Sequence, residues 1–104
     1  MWVLETADES GAERICFRLM PGAIKTVGRA PRADFILDRA LVSRLHCRLS
    51  ASEPEVEVLD LKSTNGTFVN GQRVDRGVLK PGDLLTLGRV ELRVSRAGPR
   101  DDQR

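Results

Sequence analysis

Apolar residues along this chain come in short bursts, often at every second position, with turn-forming residues between the bursts. Val56-Glu57-Val58-Leu59-Asp60-Leu61 alternates most regularly, as a strand with one buried and one wet face should. Ile24-Lys25-Thr26-Val27 repeats the pattern over a shorter length. Trp2–Glu5, Arg14–Leu19, Phe35–Leu37, His46–Ser50, Thr67–Val69, Gln72–Val74, Leu84–Leu87 and Val90–Val94 are further predicted strands. Ser10-Gly11, Met20-Pro21-Gly22, Asn70-Gly71, Lys80-Pro81-Gly82-Asp83 and Gly88-Arg89 punctuate them. Asn70-Gly71 is the strongest hairpin signal, because a type I′ turn needs positive φ at both central positions. The spacing leaves little room for helix, and it indicates an all-β sandwich or barrel.

At 104 residues the chain is expected to form one domain, with a modest core. The predicted boundaries are 1–96 for the domain and 97–104 for a polar, disordered tail or linker start, marked by a Gly-Pro break. No apolar run has the length of a membrane span. Met1–Glu5 lacks the basic start and apolar stretch of a signal peptide, so the expected location is cytoplasmic, or nuclear in a eukaryote. Two cysteines, Cys16 and Cys47, do not make a disulfide framework, and both are expected to be reduced and buried.

The formal charge of +2 is too small to indicate nucleic acid, but its distribution is uneven. Between Ile24 and Ser50 six basic residues (Lys25, Arg29, Arg32, Arg39, Arg44, Arg48) face two acids (Asp34, Asp38). That excess suits either an anionic partner or a solvated basic edge. Arginine outnumbers lysine 14 to 3, which favours forked contacts to anions.

Three segments carry the candidate chemistry. Gly28-Arg29 ends a predicted strand, where a glycine allows a sharp bend and the guanidinium can grip two phosphate oxygens in parallel. In Ser43-Arg44-Leu45-His46 the Ser43 hydroxyl and the Arg44 charge can both serve an anion, while His46 opens a strand and is expected to face inward, bonding backbone groups. Ser63-Thr64-Asn65-Gly66-Thr67 has turn composition. In it, Asn65 offers a carbonyl and an amide to a peptide main chain, and Thr64 offers further donors. A phosphate, with nearly two charges and three acceptor oxygens, needs several fixed donors of this kind.

In order and spacing, from about Ile24 to Leu87, these segments resemble the forkhead-associated (FHA) domain. The set Gly-Arg, Ser-Arg-x-His, then Ser-Thr-Asn-Gly-Thr-x-x-Asn-Gly is highly specific, although each part alone is weak. The resemblance implies a two-sheet β-sandwich of about ten or eleven short, mainly antiparallel strands with ligand loops at one end. It implies a phosphothreonine-binding adaptor or recruitment module in kinase-linked signalling, with Arg29 and Ser43 as principal phosphate ligands. Arg44 and Thr64 would assist, and Asn65 would hold the peptide main chain. Gly28, His46, Gly66, Thr67, Asn70 and Gly71 would be architectural. In the family, selectivity also comes from the third residue after the phosphothreonine; the resemblance implies that the loop Arg39-Ala40-Leu41-Val42 lies near that contact, where Leu41 or Val42 would favour an apolar residue.

Other classes fit less well. Ser43 and His46 could be imagined as nucleophile and base, but His46 is the only histidine and no third orienting group is evident. A metal site would need Cys16 to join His46 and Cys47, two neighbours that point to opposite faces of a strand. An aromatic fraction of 4% with no tyrosine offers few stacking platforms for nucleic acid. The expected reading is therefore a monomeric, non-enzymatic module without cofactor or metal, whose partner is a phosphothreonine protein. The main alternative is an assembly domain with phosphate-independent contacts, for which Thr6 would be a candidate self-association phosphosite.

Overall fold

The alternating segments become strands whose inward residues meet across two sheets. The structure is a computed structural model and describes residues 1–7 and 14–97. The predicted Ser10-Gly11 turn and residues 98–104 of the predicted tail lie outside the described residues. In chain order the strands are β1 (Trp2–Thr6), β2 (Cys16–Leu19), β3 (Ile24–Gly28), β4 (Phe35–Ile36), β5 (Cys47–Ala51) and β6 (Val56–Asp60). They continue with β7 (Thr67–Val69), β8 (Gln72–Val74), β9 (Arg76–Leu79), β10 (Leu84–Leu87) and β11 (Val90–Arg96). One sheet has the order β2-β1-β11-β10-β7-β8 and the other β4-β3-β5-β6-β9. Among the described residues the strand pairs are antiparallel except β3–β4. Together they make the expected two-sheet sandwich. No helix among the described residues is long and apolar enough to cross a membrane.

Period-2 alternation decides which side chains fill the space between the sheets. In β5, Cys47, Leu49 and Ala51 are buried while Arg48 is exposed. In β6, Val56 and Val58 are buried, and from the opposite sheet Leu4, Leu85, Leu87, Leu92 and Val94 join them. Trp2 is fully buried and donates its indole N–H to the Ser52 carbonyl at 2.8 Å, which satisfies the one polar atom of that ring. At one flank, Phe17 of β2 stacks on Phe35 of β4 with centroids 4.5 Å apart, joining an edge strand of each sheet. Ala97 exchanges hydrogen bonds with Met1, extending the β1–β11 ladder by one pair.

Two expectations change. The pattern does not predict β9, because Arg76-Gly77-Val78-Leu79 has a glycine at an inward position and too few apolar residues to show a period. Its place comes from pairing with β6, Val58 opposite Gly77 and Val56 opposite Leu79. The second concerns the thiols: both are free, but only Cys47 is buried, and Cys16 is exposed. Cys16 sits on edge strand β2 opposite Glu5, where its face of the ladder meets solvent. Burial, and then the charge of Asp60, push the Cys47 thiol far above its usual range, so that side chain behaves as a small apolar residue.

The topology collects the loops of interest. Val27, Cys47 and Asp60 lie in one cross-strand row, so the ends of β3 and β6 and the start of β5 share one end of their sheet. Leu87, Thr67 and Val74 form the equivalent row opposite. Leu49 is at the centre of the packed layer, and Leu49→Ala is expected to lower unfolding free energy by about 2–5 kcal/mol; a denaturant titration gives the value.

Candidate functional site

The chain leaving β3 and the chain approaching β5 run side by side. Arg29 N–H donates to the Ser43 carbonyl and Ala30 N–H to the Arg44 carbonyl, both at 3.0 Å. Gly28 makes this approach possible. A methyl group built on it would lie 2.1 Å from the Arg44 oxygen, a backbone atom that cannot step aside. Its φ is not in the positive region, so the glycine is required for space rather than for the bend that the sequence suggests.

Arg29 is exposed, and its Nε donates to the Val42 carbonyl at 2.9 Å. That bond pins the guanidinium at Nε and leaves its two terminal nitrogens without a partner among the described residues. Thr64 N–H donates to Ser43 Oγ at 3.0 Å. The hydroxyl oxygen is thereby occupied as an acceptor while its proton stays available for donation. Asn65 Nδ2 donates to the Leu41 carbonyl at 3.0 Å, which leaves Oδ1 and the second amide proton of this exposed side chain unused. These groups face a recess of about 320 Å³ lined by Arg29, Ala40, Leu41, Val42, Ser43, Thr64 and Asn65.

His46 ties the two loops together from beneath. Its fully buried ring accepts the Ser43 N–H at Nδ1 (3.0 Å) and lies 2.8 Å from the Gly66 carbonyl at Nε2. Only the neutral tautomer protonated at Nε2 satisfies both contacts. The inward histidine expected from the sequence is thus present with backbone partners on each side. Ser43 offers the ring its backbone N–H and not its hydroxyl, so the pair lacks the geometry of a nucleophile and base.

Not every predicted site residue reaches the recess. Arg44 is exposed and contributes its carbonyl to the β3 side, but its side chain does not line the recess. Of Leu41 and Val42, only Leu41 is exposed, at 44%, whereas Val42 is 2% exposed. Leu41 adopts φ 73°, a conformation that non-glycine residues rarely hold without support. Asn70 and Gly71 both have positive φ, as the predicted type I′ turn requires. Asn70 also links the hairpin to β10, accepting from Leu84 N–H at 3.0 Å and donating to Asp83 at 3.1 Å. Thr6 Oγ1 accepts the Ile15 N–H at 3.3 Å at the end of β1.

Sequence reasoning missed Asp60. Its carboxylate accepts from the Ser63 hydroxyl (2.6 Å), the Ser63 N–H (3.1 Å) and the Thr67 hydroxyl (2.7 Å). Ser63 Oγ in turn accepts the Gly66 N–H at 3.0 Å. The carboxylate therefore organises the whole 63–67 turn. Burial pushes its pKa up, but the hydrogen bonds from Ser63 and Thr67 outweigh that effect and hold it below the ordinary carboxylate range. An aspartate ending an alternating strand, three residues before a Ser-Thr-Asn-Gly turn, is the signal that could have found it.

Asp60→Asn replaces an acceptor with an amide that meets donors on every side. It is expected to cost about 1–3 kcal/mol, as for a buried hydrogen-bonding group left unsatisfied, read from chemical denaturation. The pH dependence has a defined sign. With the folded pKa below the unfolded value of about 3.9, the stabilisation from Asp60 is fully present above that value. It is lost as pH falls through the depressed folded value. Asp60→Asn should therefore flatten part of the acid limb of a stability–pH profile, and an unchanged limb would remove the carboxylate from this role.

Comparison with known proteins agrees with this geometry. The family model for the FHA domain matches residues 25–88. The chain is 42% identical over 79 residues to an ABC transporter ATP-binding/permease protein, Rv1747, of Mycobacterium tuberculosis, covering 76% of this chain and 9% of that protein. It is 39% identical over 85 residues to the glycogen accumulation regulator GarA of the same organism, covering 82% of this chain and 52% of the regulator. The chain thus spans a small part of the transporter and about half of the regulator. A solved structure from an analysis of phosphothreonine-dependent FHA domain interactions superposes with a TM-score of 0.80 at 33% identity, covering 93% of this chain and 97% of that one. Fold, loop geometry and family match coincide, and the chain belongs to the FHA domain family.

Proposed function

We propose that the recess receives a phosphothreonine of a partner protein, and that the chain is an adaptor or recruitment module in Ser/Thr kinase-linked signalling. The observation that carries this reading is the convergence of a pinned guanidinium, a hydroxyl with a free proton and a half-used carboxamide on one recess. In the proposed complex Arg29 and Ser43 bind the phosphate, Thr64 adds its hydroxyl, and Asn65 bonds the main chain beside the phosphothreonine. Arg44 contributes through its charge from outside the recess. Gly28, His46, Gly66, Thr67, Asn70 and Gly71 shape the loops.

The module performs no bond-breaking step and needs no cofactor or metal. Both ring nitrogens of His46 are committed to backbone groups, which leaves Ser43 without a base. In this reading the binding unit is a monomer that acts in the cytoplasm, with Arg29, Ser43, Thr64 and Asn65 of one chain around the recess. Recognition of a phosphothreonine protein partner is supported by the family match and by the phosphothreonine-dependent interactions of the similar solved domain.

Titration with a phosphothreonine peptide selected from a library tests the reading. Wild type is expected to bind it and to ignore the unphosphorylated peptide. Arg29→Ala should cost about 2–5 kcal/mol, as when one member of a desolvated charge pair is removed. Affinity should also fall with added salt, because the contact is partly electrostatic. Equal affinity of wild type and Arg29→Ala would refute the site.

A further inference from the structure

The phosphate reading makes no use of Arg73, whose side chain packs against Gly66, the neighbour of Asn65, outside the lining of the recess. It faces Phe68 across the β7–β8 ladder, on the edge strand of the six-stranded sheet. Its side chain runs back over Gly66. A methyl group built on Gly66 would meet Arg73 Nε at 2.9 Å and Cζ at 3.1 Å. Gly66 has φ +93°, a conformation glycine tolerates best, and the missing side chain leaves the space that the guanidinium fills. Arg73 is exposed, and among the described residues it makes no hydrogen bond or ion pair.

An unpaired guanidinium laid against bare backbone differs from a cation waving in solvent. Its Nε and Cζ rest on the turn, and its charge has no partner among the described residues. Gly66 directly follows Asn65, whose Oδ1 and second amide proton are open to a main chain. Arg73 packs on the residue that follows Asn65, so a peptide held at Asn65 would run near its guanidinium. The fork of Arg73 matches a carboxylate in both geometry and charge.

We infer, on the basis of the phosphothreonine reading above, that Arg73 is a specificity-determining residue selecting ligands with an aspartate or glutamate flanking the phosphothreonine on the Asn65 side. The substrate class narrows accordingly, from phosphothreonine peptides in general to those with an adjacent acid. The phosphate recess supplies most of the affinity, and Arg73 chooses among phosphorylated sequences. Because the pair is exposed, the expected preference is roughly two- to fivefold, the range of a surface ion pair.

The test is a peptide library with a fixed phosphothreonine and each flanking position varied among Glu, Ala and Lys. It is run on wild type, Arg73→Glu and Arg18→Glu. Arg18 is exposed on β2, at the opposite edge of the same sheet, so its substitution makes the same charge change away from the recess. Wild type and Arg18→Glu are expected to favour Glu over Lys at one flanking position, and Arg73→Glu to favour Lys over Glu at that same position. Binding of the all-alanine phosphopeptide should stay within about twofold across the three proteins, since that peptide offers Arg73 no exposed ion pair. Phosphothreonine binding with no acidic preference, or with a preference that survives Arg73→Glu, overturns the role of Arg73 alone. Failure of every phosphothreonine peptide to bind wild type overturns the underlying reading and this inference with it.

Discussion

One neutral imidazole sets the distance between the two loops that form the recess. His46 takes the backbone N–H of Ser43 on one side and meets the backbone carbonyl of Gly66 on the other. The ring is fully buried, and each bond it makes is correspondingly costly to lose. The imidazole fixes Ser43, and Ser43 Oγ then takes the Thr64 N–H. Asn65 next braces the Leu41 carbonyl. The recess is a closed circuit of hydrogen bonds between segments far apart in sequence, and the histidine is the part of the circuit inside the core.

The circuit has two further supports. Asp60 anchors the 63–67 turn through three hydrogen bonds to one carboxylate, and the absent side chain of Gly28 lets the Arg29 and Ser43 segments touch. Leu41 and Lys62, one in each loop, hold positive φ without being glycine. Such conformations carry a conformational cost and persist where neighbouring contacts over-determine them. Loops held this way lose little freedom when a ligand arrives, which lowers the ordering cost of binding in a small, open recess. A long flexible surface would have to order itself at the moment of binding.

Much of this was legible in the chain. The alternation of Val56–Leu61 and the Asn70-Gly71 turn led to an all-β fold, and the three motif segments identified the family and brought Arg29, Ser43, Thr64 and Asn65 forward. What stayed hidden depends on contacts between distant segments. β9 has no period of its own, because Gly77 occupies an inward position and its strand character comes from β6. Asp60 looks like the polar half of an alternating pair until the turn folds back onto it. Gly28 suggests a bend, whereas the constraint is the Arg44 carbonyl, which no local pattern contains. Cys16 and Cys47 look alike as letters and differ because one strand is at an edge and the other is central. Arg73 was hidden within a hairpin strand, and its relation to Gly66 exists only once β7 and β8 pair.

The central claim is that the two bridged loops, and no other surface, receive a phosphorylated threonine. Amide chemical-shift mapping tests it most directly. With a phosphothreonine peptide added to isotopically labelled protein, the account predicts perturbations concentrated at Arg29, Leu41–Arg44 and Ser63–Gly66, and none from the unphosphorylated peptide. Shifts confined to the outer faces of the sheets, or the same shifts from both peptides, would contradict it.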